Sequence, residues 1–236
     1  MKVILAESAG FCYGVERAVK LAEETALKEP SPVMLGSVIH NASVVASLAK
    51  KGMRTAESPA EIRPGDTVLI RSHGEKKEVL EELARIGARC VNATCPNVVR
   101  IELLVEQAQR EGRTPLIIGE PHHPEVMAVA SYGDASVVLA GAEELTRWLE
   151  ADPTRRDAPL TAAAQTTCIR SIWESCAEIL KKQCTNAKIF DTICNATHRR
   201  QSEAAALASQ VDVMVVVGDR KSANTKHLTE ICNERC

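Results

Sequence analysis

The feature that most constrains this chain is a spacing that occurs three times. Cys12, Cys95 and Cys194 each precede a helical stretch. Each helix leads into an apolar run that closes on a glycine 24 residues beyond its cysteine, at Gly36, Gly119 and Gly218. Four residues past each glycine stands a polar side chain: His40, His123 and Ser222. A fixed internal period of this kind means one supersecondary unit used repeatedly, with copies that bury their faces against one another. The unit reads as βαβα, with Cys at the end of its first strand and His or Ser in the loop after its second. In a parallel α/β sheet both places fall at the carboxyl edge, where ligands bind.

Hydrophobic patterning fills in the rest. Strands are expected at "KVILA", "SPVMLGS", "DTVLIRSHG", "TPLIIGE", "ASVVLA", "APLTAAAQ", "AKIFDT" and "DVMVVVGD". Helices are expected at roughly 14–29, 41–51, 75–86, 97–111, 123–131, 142–150, 169–183, 198–210 and 224–235. Alternating helices and continuous Val/Ile/Leu strands predict an α/β protein with parallel sheets covered on both faces. Three pseudo-threefold-related units follow, at 1–94, 95–190 and 191–236. The first two carry a further strand ending in polar residues, Ser72 and His73 in one and Gln165, Thr166 and Thr167 in the other. The third has no such element, since only 42 residues follow Cys194, and it is expected to be incomplete.

Composition excludes several function classes. A formal net charge of -2 gives no electrostatic case for nucleic acid or an anionic membrane. Aromatic residues at 3% leave no stacking platform for single strands. The apolar runs are strand-length, too short to span a bilayer, and "MKVILAESAG" does not read as a secretory signal. A cytoplasmic protein is expected. Its nine cysteines, none in a close-spaced disulfide framework, are then core thiols, metal ligands or catalysts.

Three thiolates converging on one axis repel. At ~6 Å and an effective dielectric of ~20 each pair costs about 2–3 kcal/mol. A cationic metal centre removes that cost, and helix N-termini beside the sulfurs help. Zinc is one candidate, although structural zinc takes four ligands at short spacings that are absent here. Three thiolates with one open position suit a 4Fe–4S cluster whose fourth iron is free. Around such a centre the loops supply His40, His73, His123, Ser222 and Asn224, a set of imidazole, hydroxyl and amide groups fit to bind a small phosphate. Glu125 in "HHPEV" adds a carboxylate able to deliver protons, and Thr166 is placed to hold it or the substrate. Cys90, Cys168, Cys176, Cys184, Cys232 and Cys236 have no repeat partners and read as core or surface thiols.

The stretches "GFCYGVERAV", "SVIHN", "RSHG", "NATCPNV", "HHPEV", "QTT", "DTICNATHRRQ" and "VVGDRKSANT" resemble, in order, the 4-hydroxy-3-methylbut-2-enyl diphosphate reductase family of the methylerythritol phosphate route to isoprenoids. The resemblance covers essentially the whole chain. It implies a cloverleaf of three α/β units around a 4Fe–4S cluster ligated by Cys12, Cys95 and Cys194. It implies that His40, His73, His123, Ser222 and Asn224 hold the diphosphate of an allylic substrate, that Glu125 with His123 and Thr166 serves catalysis, and that Thr166 contacts the substrate near its hydroxyl. A ferredoxin or flavodoxin supplies electrons in such a scheme. Two departures are visible. Ala223 stands where the family has a second serine, and the family's final strand and Ser-containing loop have no counterpart here. The alternative reading is an impaired iron–sulfur or phosphate-binding protein of the same descent.

Overall fold

The computed structural model describes residues 2–236. Two four-stranded parallel sheets form its frame. In the first, β1 (Pro32–Leu35), β2 (Arg54–Ala56), β3 (Thr67–Ile70) and β4 (Arg89–Asn92) lie in the order β2-β1-β3-β4. In the second, β5 (Thr114–Ile118), β6 (Val137–Leu139), β7 (Leu160–Ala164) and β8 (Ala187–Phe190) lie in the order β6-β5-β7-β8. The two orders are the same order, which is the internal repeat expressed as topology. Every pairing is parallel, with Val33 opposite Val68 in one sheet and Leu116 opposite Ala162 in the other.

Each strand residue's face follows from its parity. Met34 and Leu69 point to one side of the first sheet. There they pack on Ala18, Ala22 and Ala26 of α1 (Tyr13–Lys28) and on Leu48 of α2 (Ala42–Lys50). The small alanines let α1 approach the sheet closely. Val33, Leu35, Val68 and Ile70 point the other way, onto Leu83 of α3 (Lys77–Ile86). The second sheet repeats this. Ile117 and Ala163 meet Val98, Ile101 and Val105 of α4 (Pro96–Arg110) and Val126 and Val129 of α5 (Pro124–Ala130). On its opposite face Leu116, Ile118 and Ala162 meet Leu145 and Leu149 of α6 (Ala142–Ala151) and Trp173 and Leu180 of α7 (Arg170–Gln183). Cys168 and Cys176 belong to this last cluster, as thiols without repeat partners should.

The third segment supplies α8 (Asn195–Ala208) and α9 (Ala223–Asn233), which pack on each other. Here two expected strands fail. Neither "KVILA" nor "DVMVVVGD" is a strand among the described residues. Both have an apolar strand-type composition, but a strand is defined by a ladder, and no partner pairs with either. Val3, Leu5, Val213, Val215 and Val217 are accordingly exposed. Two short strands with polar ends, β2 and β4, go unannounced by the sequence. Helix α8 starts at Asn195, three residues earlier than expected, directly at Cys194.

Glycine plays different parts in the three repeats. Gly36 adopts φ +66°, a left-handed conformation that favours glycine. Gly119 is not left-handed. A Cβ there would come within 2.7 Å of the Gln165 side chain, so it serves close approach. Gly218 is hemmed in by the side chain of Thr225. Of the three repeat glycines, Gly36 alone makes a left-handed turn.

Candidate functional site

The helices explain where the cysteines go. Cys12, Cys95 and Cys194 are the N-cap residues of α1, α4 and α8. An N-cap residue faces the unsatisfied N–H groups of the first turn, so each sulfur sits at the positive end of a helix. The Cys194 sulfur accepts from Thr197 N at 3.3 Å and lies 3.0 Å from its hydroxyl. The Cys95 thiol is pushed up by burial, eased by the N–H groups of Asn97 and Val98, and pushed up again by the charges of Cys12 and Cys194. The structure thus brings the three repeat cysteines from three parts of the chain within electrostatic reach of one another. Gly14 enforces this convergence. A Cβ at Gly14 would stand 2.6 Å from the Cys95 sulfur.

Backbone links tie two of the three cysteines, Cys95 and Cys194, to the polar end of the preceding unit. Cys95 N donates to Ser72 O at 2.9 Å, and Cys194 N donates to Thr166 O at 3.1 Å. These are the same bond in two copies of the repeat. They place the "RSHG" loop beside Cys95 and the "QTT" loop beside Cys194.

His40, His73 and His123 come together from the loops after β1, β3 and β5. Their ring centroids are 4.6, 5.5 and 6.2 Å apart, and one nitrogen from each falls in a group spanning no more than 4.8 Å. Burial lowers all three imidazoles, His73 well below its usual value and His123 to about 4. The Arg71 guanidinium adds to the effect on each. At neutral pH the cluster is therefore three neutral rings. His40 Nε2 and His73 Nδ1 are buried without a hydrogen-bond partner. His123 Nδ1 accepts from Glu125 N at 3.1 Å, which leaves Nε2 of the neutral ring carrying the proton. A ring presenting N–H suits an anion's oxygen better than a metal ion.

Glu125 is 3% exposed, in the first turn of α5. Thr166 N donates to its Oε1 at 2.6 Å and Thr166 Oγ1 to its Oε2 at 2.7 Å. Burial raises the carboxyl, and these two bonds oppose the rise without cancelling it. Thr166 thus holds Glu125 with its N–H and hydroxyl and receives Cys194 with its carbonyl.

Ser222 caps α9 by accepting from Thr225 N at 3.4 Å, and Asn224 lies half-buried in the first turn. Among the described residues neither hydrogen-bonds a histidine. Their loop is nonetheless close, because the charges of Asp219 and Lys221 act on His40. Sequence reasoning missed His227, which fastens α9 to the second unit. Its Nδ1–H donates to Thr167 O at 2.7 Å and its Nε2 lies 2.9 Å from Glu120. As a histidine with no repeat partner, it gave no signal. Arg71 and Lys221 add cationic charge to this edge, where Arg71 acts on His40 and His123 and Lys221 on His40.

Thiols, imidazoles and a buried carboxyl at the carboxyl edge of repeated parallel sheets define an α/β protein with an enzyme-like site. A family model described as LytB protein matches residues 3–236. The chain is 37% identical to 4-hydroxy-3-methylbut-2-enyl diphosphate reductase of Caldanaerobacter subterraneus subsp. tengcongensis over 100% of its length and 82% of that protein's. It is 40% identical to the reductase of the same name from Geobacter metallireducens, over 99% of this chain and 81% of that one. A solved structure of (E)-4-hydroxy-3-methyl-but-2-enyl diphosphate reductase matches 98% of this chain and 82% of its own, at 36% identity with a TM-score of 0.74. The Plasmodium falciparum reductase structure, at 24% identity and TM-score 0.87, shares the fold. The chain belongs to the LytB family and is an oxidoreductase. Among the described residues no helix is long and apolar enough to cross a membrane.

Proposed function

We propose that the protein reductively dehydroxylates 4-hydroxy-3-methylbut-2-enyl diphosphate to isopentenyl and dimethylallyl diphosphate. The three segments 1–94, 95–190 and 191–236 each bring one cysteine, and Cys12, Cys95 and Cys194 hold a 4Fe–4S cluster. The donor set fits that group. There are three thiols, each at a helix N-terminus, while the tight group spanning 4.8 Å is made of histidines and not of these sulfurs. A single zinc ion, with bonds of ~2.3 Å to sulfur, needs its thiolates closer together than a four-iron cluster does. When bound, the cluster supplies one-electron chemistry fed by a ferredoxin or flavodoxin.

The protein's own residues do the rest. His40, His73 and the His123 N–H face the diphosphate, with Ser222 and Asn224 closing on it from α9. The buried nitrogens of His40 and His73 gain the partners they lack. Glu125 holds the proton that leaves with the hydroxyl as water, and Thr166 keeps its carboxyl oriented beside the substrate. Two electrons and two protons balance the loss of one water.

The Glu125–Thr166–Cys194 chain carries this reading, because it joins a buried acid to the backbone of a cluster cysteine through one residue. Anaerobic reconstitution tests it. The native protein should bind nearly four irons per chain and turn over the allylic diphosphate with a reduced viologen. Cys12→Ser, Cys95→Ser and Cys194→Ser should lose the iron, whereas Cys176→Ser should keep it. Equal loss in all four variants would refute the assignment. Iron loading without turnover would favour the binding-protein alternative.

A further inference from the structure

Helix α4 carries an acid where its pattern calls for an apolar residue. Val98, Ile101, Val105 and Ala108 form its buried face, and Glu102 sits among them at 7% exposure. A carboxyl in such a place is costly unless it is partnered or neutral. Its Oε1 is buried and has no hydrogen-bond partner.

The surroundings of that oxygen locate it behind the site. It lies against Gly74, where a Cβ would approach it to 2.6 Å, with Thr94 Cγ2 and Ala128 Cβ each 3.5 Å from the same point. Gly74 follows His73, Thr94 precedes Cys95, and Ala128 stands one turn beyond Glu125 on α5. The three segments that build the histidine cluster, one thiol and the buried acid therefore meet at the Glu102 carboxyl.

We propose that Glu102 is a second proton-holding carboxyl of this site, one that reloads Glu125 between turnovers. The inference rests on the reductase reading above and names the source of Glu125's proton. Glu102 acts through Glu125 and is a positioning residue for the proton. The exchange balances: the O–H bond on Glu102 breaks, an O–H bond on the Glu125 carboxylate forms by way of water, and Glu102 regains its proton from solvent. The charge of Glu125 acts on Glu102, which favours this sharing because a like-charged pair resists double ionisation.

Burial, then the charges of Glu106 and Glu125, raise the Glu102 carboxyl to about 7. It is thus mostly protonated below neutrality. Tyr132, pushed up to about 12 by burial and by the charges of Glu102, Glu106 and Glu75, lies in the same field, and Glu75 is paired with Arg71 at 3.0 Å. None of these supplies Glu102 with a compensating cation.

The test uses the reconstituted enzyme. For the native protein, kcat against pH should fall on an alkaline limb with its midpoint near 7, the Glu102 value. In Glu102→Gln that limb should vanish and kcat at neutral pH should drop about 10-fold, below the 10²–10⁴ of a direct proton donor. Iron content and pyrophosphate affinity should stay unchanged. Glu102→Asp should restore the limb. Infrared spectra of the metal-free Glu125→Gln protein should show one protonated-carboxyl band that disappears through neutral pH, and the band should be missing from the double variant with Glu102→Gln. An unchanged pH profile in Glu102→Gln, or no such band, overturns the proposal while leaving the reductase reading intact. An inactive native enzyme overturns both.

Discussion

Gly14→Ala separates folding from cluster assembly. The new Cβ would stand 2.6 Å from the Cys95 sulfur and 3.4 Å from its Cβ. Ordinary contact distances are ~3.5–4.0 Å, so a gap of about 1 Å must open between α1 and the loop ahead of α4. Overpacking of this size costs about 1–3 kcal/mol. Replacing a helical glycine returns up to ~1 kcal/mol. The net loss is therefore ~0–3 kcal/mol, which lowers Tm by no more than about 12 °C for a chain of this length. Metal coordination is far less tolerant, accepting errors of only about 0.2 Å. Cys12 is two residues from Gly14, so two of the three thiols are displaced by several times that margin. A thermal scan of the metal-free variant, run beside iron and sulfide analysis after anaerobic reconstitution, should show a folded protein with most of its iron missing. A variant that unfolds near the native temperature and takes up its full iron complement would refute the claim that Gly14 sets the approach of Cys12 to Cys95.

Three further outcomes are expected. Thr166→Val removes the 2.7 Å bond to Glu125 Oε2 and keeps the backbone bond; the carboxyl then rises further, so the alkaline limb of Glu125's own ionisation moves to higher pH while kcat falls ~10–100-fold through misorientation. The folded-state value of His123 is about 4, below its unfolded value of 6.5. It therefore stabilises the fold fully above 6.5 and loses that contribution as pH falls toward 4, about 3 kcal/mol in all; urea unfolding should show His123→Asn, which retains an N-cap, losing that much less than the native protein between pH 7 and 4. Glu203→Gln weakens the acceptor of the Glu7 and Ser8 amides, and hydrogen exchange at these amides should accelerate while that in β5 and β7 stays unchanged.

The sequence revealed the site through its period. Cys12, Cys95 and Cys194 are equivalent because three helices start in the same way, and a repeat exposes that equivalence even where local propensity says little. The two sheets were legible because β1, β3, β5 and β7 are runs of buried aliphatics. Segment 212–219 misled for the same reason. Its valines state a preference, whereas strand formation depends on a neighbour the segment itself cannot specify. Strands β2 and β4 escaped notice because "RTA" and "RCVN" carry too little apolar character. Glu102 and His227 escaped because each departs from the pattern around it, one as an acid on an apolar helix face and the other as a histidine without a repeat partner. Departures of this kind are where sequence pattern and function part company.

The tie between the two ends of the chain sets an order of events during synthesis. Glu203 on α8 accepts from Glu7 N at 2.5 Å, Ser8 N at 2.9 Å and the Ser8 hydroxyl, and Arg200 donates to Ser8 O at 3.1 Å and Gly10 O at 2.7 Å. The segment leading to Cys12 thus finds its anchors only after α8 has been made. About 180 residues separate Cys12 from Cys194, so at ~5–20 residues per second the first thiol waits about 10–40 s on the ribosome for the last. Through that interval Cys12, fixed at the start of α1 on the first sheet, shares the site with Cys95 alone, an incomplete set of thiols open to oxidants and stray metal ions. The nascent chain is then a vulnerable stage in making this protein, because its thiol set stays incomplete until Cys194 is made.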